Sequence, residues 1–370
     1  MVFNLKEFKE VCSKILTAVD SSDGSRITDT LSVNVEDGNL YLSVTNREYF
    51  TKVKMEVGDV GNFKASVNAG LFLRLVSSLT SENIELSVVD NYLKVDADGT
   101  FKIPLIYDGE ELLEVPEIKI FNKTNEFDIQ TENLLNILVY NSKEANKKAN
   151  TAVQKMYYLD EEGCITFTSG ACVNKFHLDG TLRVLLTAKV VRLFKLFTSD
   201  TVHFEIGYDE LDNGFVQSKV LFTNGSVTVS AVTPSDVGLV DTVPAALIRK
   251  TAFNTYDYSV NLNKDAILNA IKRFLIFTKD VTRCIITLDF SNTSLSIRDD
   301  AGNEEKINYD NNDNVTCDYS MRLFAEDLRL TLESVSDKFV IFNFGDHRAV
   351  VIAKGNIYNV VPEVIVKSGV

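Results

Sequence analysis

The sequence holds few residues of the kinds that bind metal, span lipid or grip a polyanion by bulk charge. Its five cysteines are Cys12, Cys164, Cys172, Cys284 and Cys317. They form no C-x-x-C pair and stand at no metal-ligand spacing from His177, His203 or His347. That pattern fits reduced cytosolic thiols better than a disulfide framework or a zinc site. No apolar run reaches the ~18 residues that a membrane span requires. The opening stretch MVFNLKEFKEVC lacks a signal-peptide core. The expectation is a cytoplasmic chain with no membrane partner. Positive charge is scarce: 38 Lys and Arg face 52 Asp and Glu, for a net charge of −14 and a pI near 4.8. This argues against a simple basic nucleic-acid binder but leaves room for cations concentrated on one surface. There is no P-loop, no dinucleotide fingerprint and no nucleophile elbow. Asp299-Asp300 and Glu304-Glu305 read as strand-end surface charge. No enzyme, cofactor or metal is expected.

Against that background one stretch is distinctive, Thr187–Thr198, TAKVVRLFKLFT. Val190, Leu193, Phe194 and Phe197 recur at i, i+3, i+4 and i+7 and form an apolar helical stripe. Lys189, Arg192 and Lys195 fall on a broad opposite arc. Thr187 is a candidate N-cap, because its hydroxyl can accept from a first-turn N–H. Read alone, the segment is equally a solvated surface helix.

The segment belongs to a repeat. LFLRLVSSLTSENIELSVV (71–89), VVRLFKLFTSDTVHFEI (190–206) and LRLTLESVSDKFVIFNF (328–344) each read as apolar helix, polar turn and alternating strand. Another amphipathic helix precedes each, at Asn4–Ala18, Thr131–Ala149 and Asn263–Lys279. Asn4 with Glu7 forms a cap pair in the first. Leu134, Leu135, Leu138 and Val139 supply the stripe of the second, and Ile267, Leu268, Ile271 and Leu275 that of the third. Alternating strands follow, among them NLYLSVT (39–45), CITFTS (164–169) and LSIRD (295–299). These units predict three similar α+β domains at 1–122, 123–252 and 253–370. Each has two helices packed on short antiparallel strands. The polar run Tyr309–Asn314 reads as a hairpin tip.

Charge is unevenly divided. The six candidate helices sum to +8, which leaves −22 for the remainder of a −14 chain. The segments Thr187–Thr198 and Asn263–Lys279 supply +3 each, whereas Arg322–Glu333 carries −1. A basic helical layer on an acidic sheet body could face a polyanion while the outer surface repels it.

With these features the sequence resembles the bacterial-type DNA polymerase III beta subunit, the sliding clamp. The third repeat carries the resemblance most clearly, in the order AILNAIKRFLIF, TRCIITLDFSNTSLSIRDDAGNEEKI, SMRLFAEDLRLTLESVSDKFVIFNF and NIYNVVPEVI. SVNAGLFLRLVSSLTSENIELSV and DADGTFKIPLI are similar in the first. The resemblance implies a ring-shaped homodimer of six domains, its helices lining a hole for double-stranded DNA. Contacts would go to phosphates, without sequence readout. The implied partners are the replicative DNA polymerase and the clamp loader, and the implied location is the cytoplasm, associated with the nucleoid. The competing reading is a repeat-built, non-enzymatic scaffold or virion protein with no DNA role.

The resemblance assigns DNA-facing roles to Arg26 and to Lys147 and Lys148. Charge adds Arg74, Lys189, Arg192, Lys195, Lys272 and Arg273. The resemblance further implies a hydrophobic pocket for partner peptides at Val153, Thr168, Gly170, Ala171, Cys172, Val173, Pro244, Ile248, Val361, Pro362 and Glu363. Where the family commonly has Gly-His-Arg-Leu, this chain has Gly170-Ala171-Cys172-Val173, which removes donors from the pocket rim. Its C-terminus also runs past the usual end as Val366–Val370. A dimer interface is implied at Phe101 and Ile103 on one side, and at Ile276 and Phe277 on the other.

Overall fold

Alternation of apolar and polar residues dominates the chain, and strands dominate the computed structural model of it. The structure describes residues 1–20, 22, 24–58, 61–145, 149–211, 216–234, 237–309, 317–346 and 349–364. Lys147, Lys148, His347, most of the 309–314 run and the segment 366–370 therefore lie outside the described residues.

The strands are antiparallel and fall into two compact units. The first unit comprises 1–132 and 189–236. Its eight-stranded sheet starts at the edge strand Asn122–Gln130 and continues through Thr201–Glu210, Val216–Thr223 and Val227–Val232 into Tyr49–Glu56. Val229 lies opposite Thr51 at that last junction, so strands from the first and second repeats share one sheet. The second unit comprises 133–188 and 237–370. Its eight-stranded sheet joins the second and third repeats where Ala171–Lys175 pairs with Ile357–Pro362. Each unit adds a four-stranded sheet. In the first, Thr100–Pro104 is an edge strand; in the second, Glu304–Asn308 is. The middle third of the sequence thus contributes strands to both units.

Several expected helices form. Leu5–Ala18 buries Phe8, Val11 and Ile15, and the Asn4 side chain caps it by accepting from the N–H groups of Lys6 and Glu7. Ala69–Ser78 is capped by Asn68, and Lys264–Ile276 by Asn263. Three segments differ from expectation. Thr131–Ala149 is not one α-helix: α-helical Thr131–Asn136 passes into a π-helical turn, Ile137–Asn141, and then Ser142–Ala145. Leu135 and Val139 are exposed there, and the buried line is Leu134, Ile137 and Asn141. A polar anchor causes the change of phase. The Asn141 amide nitrogen donates to Thr166 Oγ1 at 3.2 Å and to the Cys172 carbonyl at 3.0 Å, which satisfies both of its buried N–H groups, while Oδ1 has no partner among the described residues. Next, Arg322 lies in the strand Tyr319–Phe324, and the helix runs Ala325–Ser334.

The third difference is the segment Thr187–Thr198. It forms a single α-turn, Ala188–Val191, followed by the 3₁₀ stretch Arg192–Leu196. Its buried face is wider than a stripe, because Val191 and Leu196 are buried with Val190, Leu193, Phe194 and Phe197. Adjacent β-branched Val190 and Val191 disfavour a longer α-helix here. Thr187 does not cap it, since its buried hydroxyl has no hydrogen-bond partner among the described residues. The segment seats on the sheet through Phe194, whose ring lies 5.0 Å from Phe222; Phe222 stacks on Phe204 at 4.3 Å. Fully burying each such ring contributes on the order of 1.5–3 kcal/mol.

Candidate functional site

The candidate DNA-facing cations differ in what they touch. Arg192 donates to the Tyr49 hydroxyl at 2.7 Å and lies 3.7 Å from Asp20. Lys189 pairs with Glu48 at 2.9 Å and with Asp20 at 3.5 Å. Tyr49 is fully buried and donates onward to the Ala18 carbonyl at 2.6 Å. Its burial raises the phenol pKa, so the hydroxyl stays neutral and can serve as both donor and acceptor. Hydrogen bonds from Ser22 and Asn46, with the charge of Lys189 beside them, outweigh burial and hold Asp20 at about 2. These carboxylates anchor Lys189 and Arg192 to the body of the first unit.

Lys272 is paired with Glu333 at 3.2 Å, and Arg273 forms a two-point pair with Glu305. Arg26 is exposed and donates to the Tyr107 carbonyl at 3.0 Å. Arg74 is exposed and bonds only to Gly70 O of its own helix among the described residues, at 2.9 Å. Lys195 is exposed and has no ion pair among the described residues. Arg26, Arg74 and Lys195, which meet no carboxylate among the described residues, are therefore the candidates whose charge is least neutralised from within.

The expected partner-pocket residues gather in the second unit. The helix Ala245–Ala252 lies across the paired strands Ala171–Lys175 and Ile357–Pro362. Val153 and Val173 are buried beneath it with Tyr158, and Ile248 and Val360 pack half-buried against them. Gly170 closes one end of this surface. A Cβ on Gly170 would stand 2.3 Å from the Val360 carbonyl oxygen, so the close strand crossing requires glycine. The Glu144 carboxylate holds the same turn by accepting from Thr168 N at 3.0 Å and from the Thr168 hydroxyl.

Two expected pocket residues have buried side chains that do not join this surface. Strand alternation points Cys172 away from Val173, and Val361 belongs to a separate core with Phe342 and Val350. Thr168, Gly170, Ile248, Pro362 and Glu363 are half-buried, Pro244 is exposed, and Ala171 is buried. The helix is fixed by a charge pair that sequence reading missed. Arg249 donates to both Asp160 oxygens, one at 2.8 Å, from a position 89 residues away. Burial disfavours the guanidinium charge, but the Asp160 carboxylate more than offsets it and raises the Arg249 pKa. A groove of about 830 Å³ runs along one face of this helix, lined by Ala246, Arg249, Lys250 and Phe253 with Lys175 and Tyr358 among others. None of the expected pocket residues lines it.

The interface candidates also divide. Ile276 is 77% and Phe277 72% exposed, large apolar groups at the C-terminal end of Lys264–Ile276. Phe101 is exposed on the edge strand Thr100–Pro104, whereas Ile103 is buried in its own unit at 2%. Among the described residues no helix is long and apolar enough to cross a membrane.

No family model matches the sequence, and no curated protein matches it. Solved structures do. The DNA polymerase III subunit beta sliding clamp of Pseudomonas aeruginosa, bound to griselimycin, matches with a TM-score of 0.79 at 15% identity, over 99% of each chain. The Helicobacter pylori beta clamp bound to a DNA ligase peptide matches at 0.77 and 12%, again over 99% of each chain. The Bacillus subtilis DNA polymerase sliding clamp matches at 0.77 and 14%, over 99% of this chain and 98% of that one. Over nearly its whole length, this chain has the fold of the bacterial DNA polymerase III beta sliding clamps.

Proposed function

We propose that the chain is a non-catalytic DNA sliding clamp. Two copies close head to tail into a ring around duplex DNA and tether the replicative polymerase, which a clamp loader places there. Tethering acts by effective concentration, so no catalytic group is needed. The observation that carries this reading is the full-length match to beta clamps at 12–15% identity. Within it, the repeats 1–122, 123–252 and 253–370 are three clamp domains per chain. Arg26, Arg74, Lys195 and the Lys147–Lys148 pair approach phosphates, with Lys189, Arg192, Lys272 and Arg273 contributing from within ion pairs. Exposed Ile276 and Phe277, and Phe101 on its edge strand, support the contact between copies. The Ile248–Val360 surface beside Gly170 takes a hydrophobic partner peptide. The Helicobacter pylori clamp's ligase peptide supports that assignment. The ring works in the cytoplasm, on the nucleoid.

Retention on DNA tests the reading. Loaded clamp should stay on nicked circular plasmid and run off after linearisation, because a ring slides from free ends. Equal retention on both forms, or none on either, would replace the clamp with a scaffold.

A further inference from the structure

The edge strand Asn122–Gln130 and its neighbour Thr201–Glu210 carry a cluster that the clamp reading does not use. Glu126 lies directly opposite Glu205, and Asp128 opposite His203. Alternation buries Phe127, Ile129, Val202 and Phe204 on one face and leaves these four polar side chains on the other. His203 Nδ1 lies 3.1 Å from Asp128 Oδ1, which fixes that nitrogen as the hydrogen-bond donor. Nε2 then faces Glu205 Oε1 at 3.3 Å and Glu126 Oε2 at 3.6 Å.

A bare imidazole lone pair aimed at two carboxylate oxygens is repulsive, so a positive centre belongs between them. A proton on Nε2 is one such centre. A metal ion is another, and the spacing suits it. Tetrahedral ligands held about 2.0–2.1 Å from zinc stand about 3.3–3.4 Å from one another. Asp128 occupies the position of the carboxylate that orients a metal-bound histidine through its other nitrogen. An imidazole in the set selects a zinc-type ion over calcium or magnesium.

We propose that Glu126, His203 and Glu205 bind one divalent transition-metal ion, with Asp128 orienting the imidazole. The ion clips the edge strand of the eight-stranded sheet to its neighbour. Lys123 competes for the place, since its ammonium lies 2.5 Å from Glu126 and 3.7 Å from Glu205. Spacing in the sequence does not disclose this set, because its members come from two strands about eighty residues apart. The cysteines do not compete, as all five are buried.

The test is zinc titration of the full chain by calorimetry after chelator treatment, with cobalt(II) absorption reporting tetrahedral coordination. One equivalent should bind and give the intense cobalt spectrum of a four-coordinate site. His203→Gln should abolish that equivalent while the melting curve of the metal-free protein stays unchanged. Asp128→Asn should weaken binding about tenfold. Lys123→Ala should tighten it, which a merely acidic surface patch with diffuse binding would also do; only the site also loses its cobalt spectrum in His203→Gln. Full stoichiometry retained in His203→Gln overturns the proposal. So does the lack of any gain in Lys123→Ala, which remains decisive if the histidine variant fails to fold.

Discussion

Replacing Arg192 with alanine should damage the fold more than any contact with DNA. The substitution removes the 2.7 Å bond to Tyr49 and the cation 3.7 Å from Asp20. Tyr49 keeps its bond to the Ala18 carbonyl but is left without a donor to its buried oxygen. A hydrogen bond from a charged group contributes about 1.5–3 kcal/mol. The Arg192 side chain is 38% exposed, so solvent screening places the loss near the lower end, about 1.5–2 kcal/mol. For a cooperative unit of this size that loss corresponds to a melting temperature lower by about 3–8 °C. Calorimetry measures it, and a cycle with Tyr49→Phe isolates the pair: the double variant should lose less than the two singles combined. Lys195→Ala is the control. It should leave melting unchanged and lower the slope of log affinity against log salt for duplex DNA by about 0.9. If Arg192→Ala melts like the parent and changes the salt slope as Lys195→Ala does, the ion-pair anchoring argued from these distances is wrong.

Other expectations follow from the same contacts. Asp20, held at about 2 against an ordinary 3.8, contributes stability that is complete above 3.8 and lost as pH falls through about 2. Asp20→Asn should therefore reduce stability at neutral pH and flatten the acid limb of a stability–pH profile. Gly170→Ala places a methyl 2.3 Å from the Val360 oxygen, and should cost about 1–3 kcal/mol in chemical denaturation and weaken capture of a hydrophobic partner peptide. Asn141→Leu keeps the volume but loses both bonds to the strand region, and should cost about 1–3 kcal/mol by the same assay. Ile276→Asp with Phe277→Asp should shift sedimentation at micromolar concentration from dimer to monomer without lowering the melting temperature, because both side chains are exposed in a single chain.

What was legible in the sequence was local. The strand Asn39–Thr45 and the Asn4-capped helix each depend on neighbours within a turn or a pleat, so periodicity discloses them. Charge is a different matter. The Thr187–Thr198 segment carries +3 along the chain, yet two of its three cations sit on carboxylates from Asp20 and Glu48. In the second unit Glu305 and Glu333 do the same to Arg273 and Lys272. A tally by helix counts each cation and omits the anion that reaches it from elsewhere in the chain, so it overstates the field any helix presents. Asn141 fails in the opposite direction: a polar residue breaks the apolar period on paper, but its partners, Thr166 and the Cys172 carbonyl, lie in a strand region that the period cannot see. Pairing is a property of the folded chain. The positive surface open to a polyanion is therefore narrower than the sequence tally, and Lys195, Arg74 and Arg26 are where charge substitutions should act on DNA rather than on the fold.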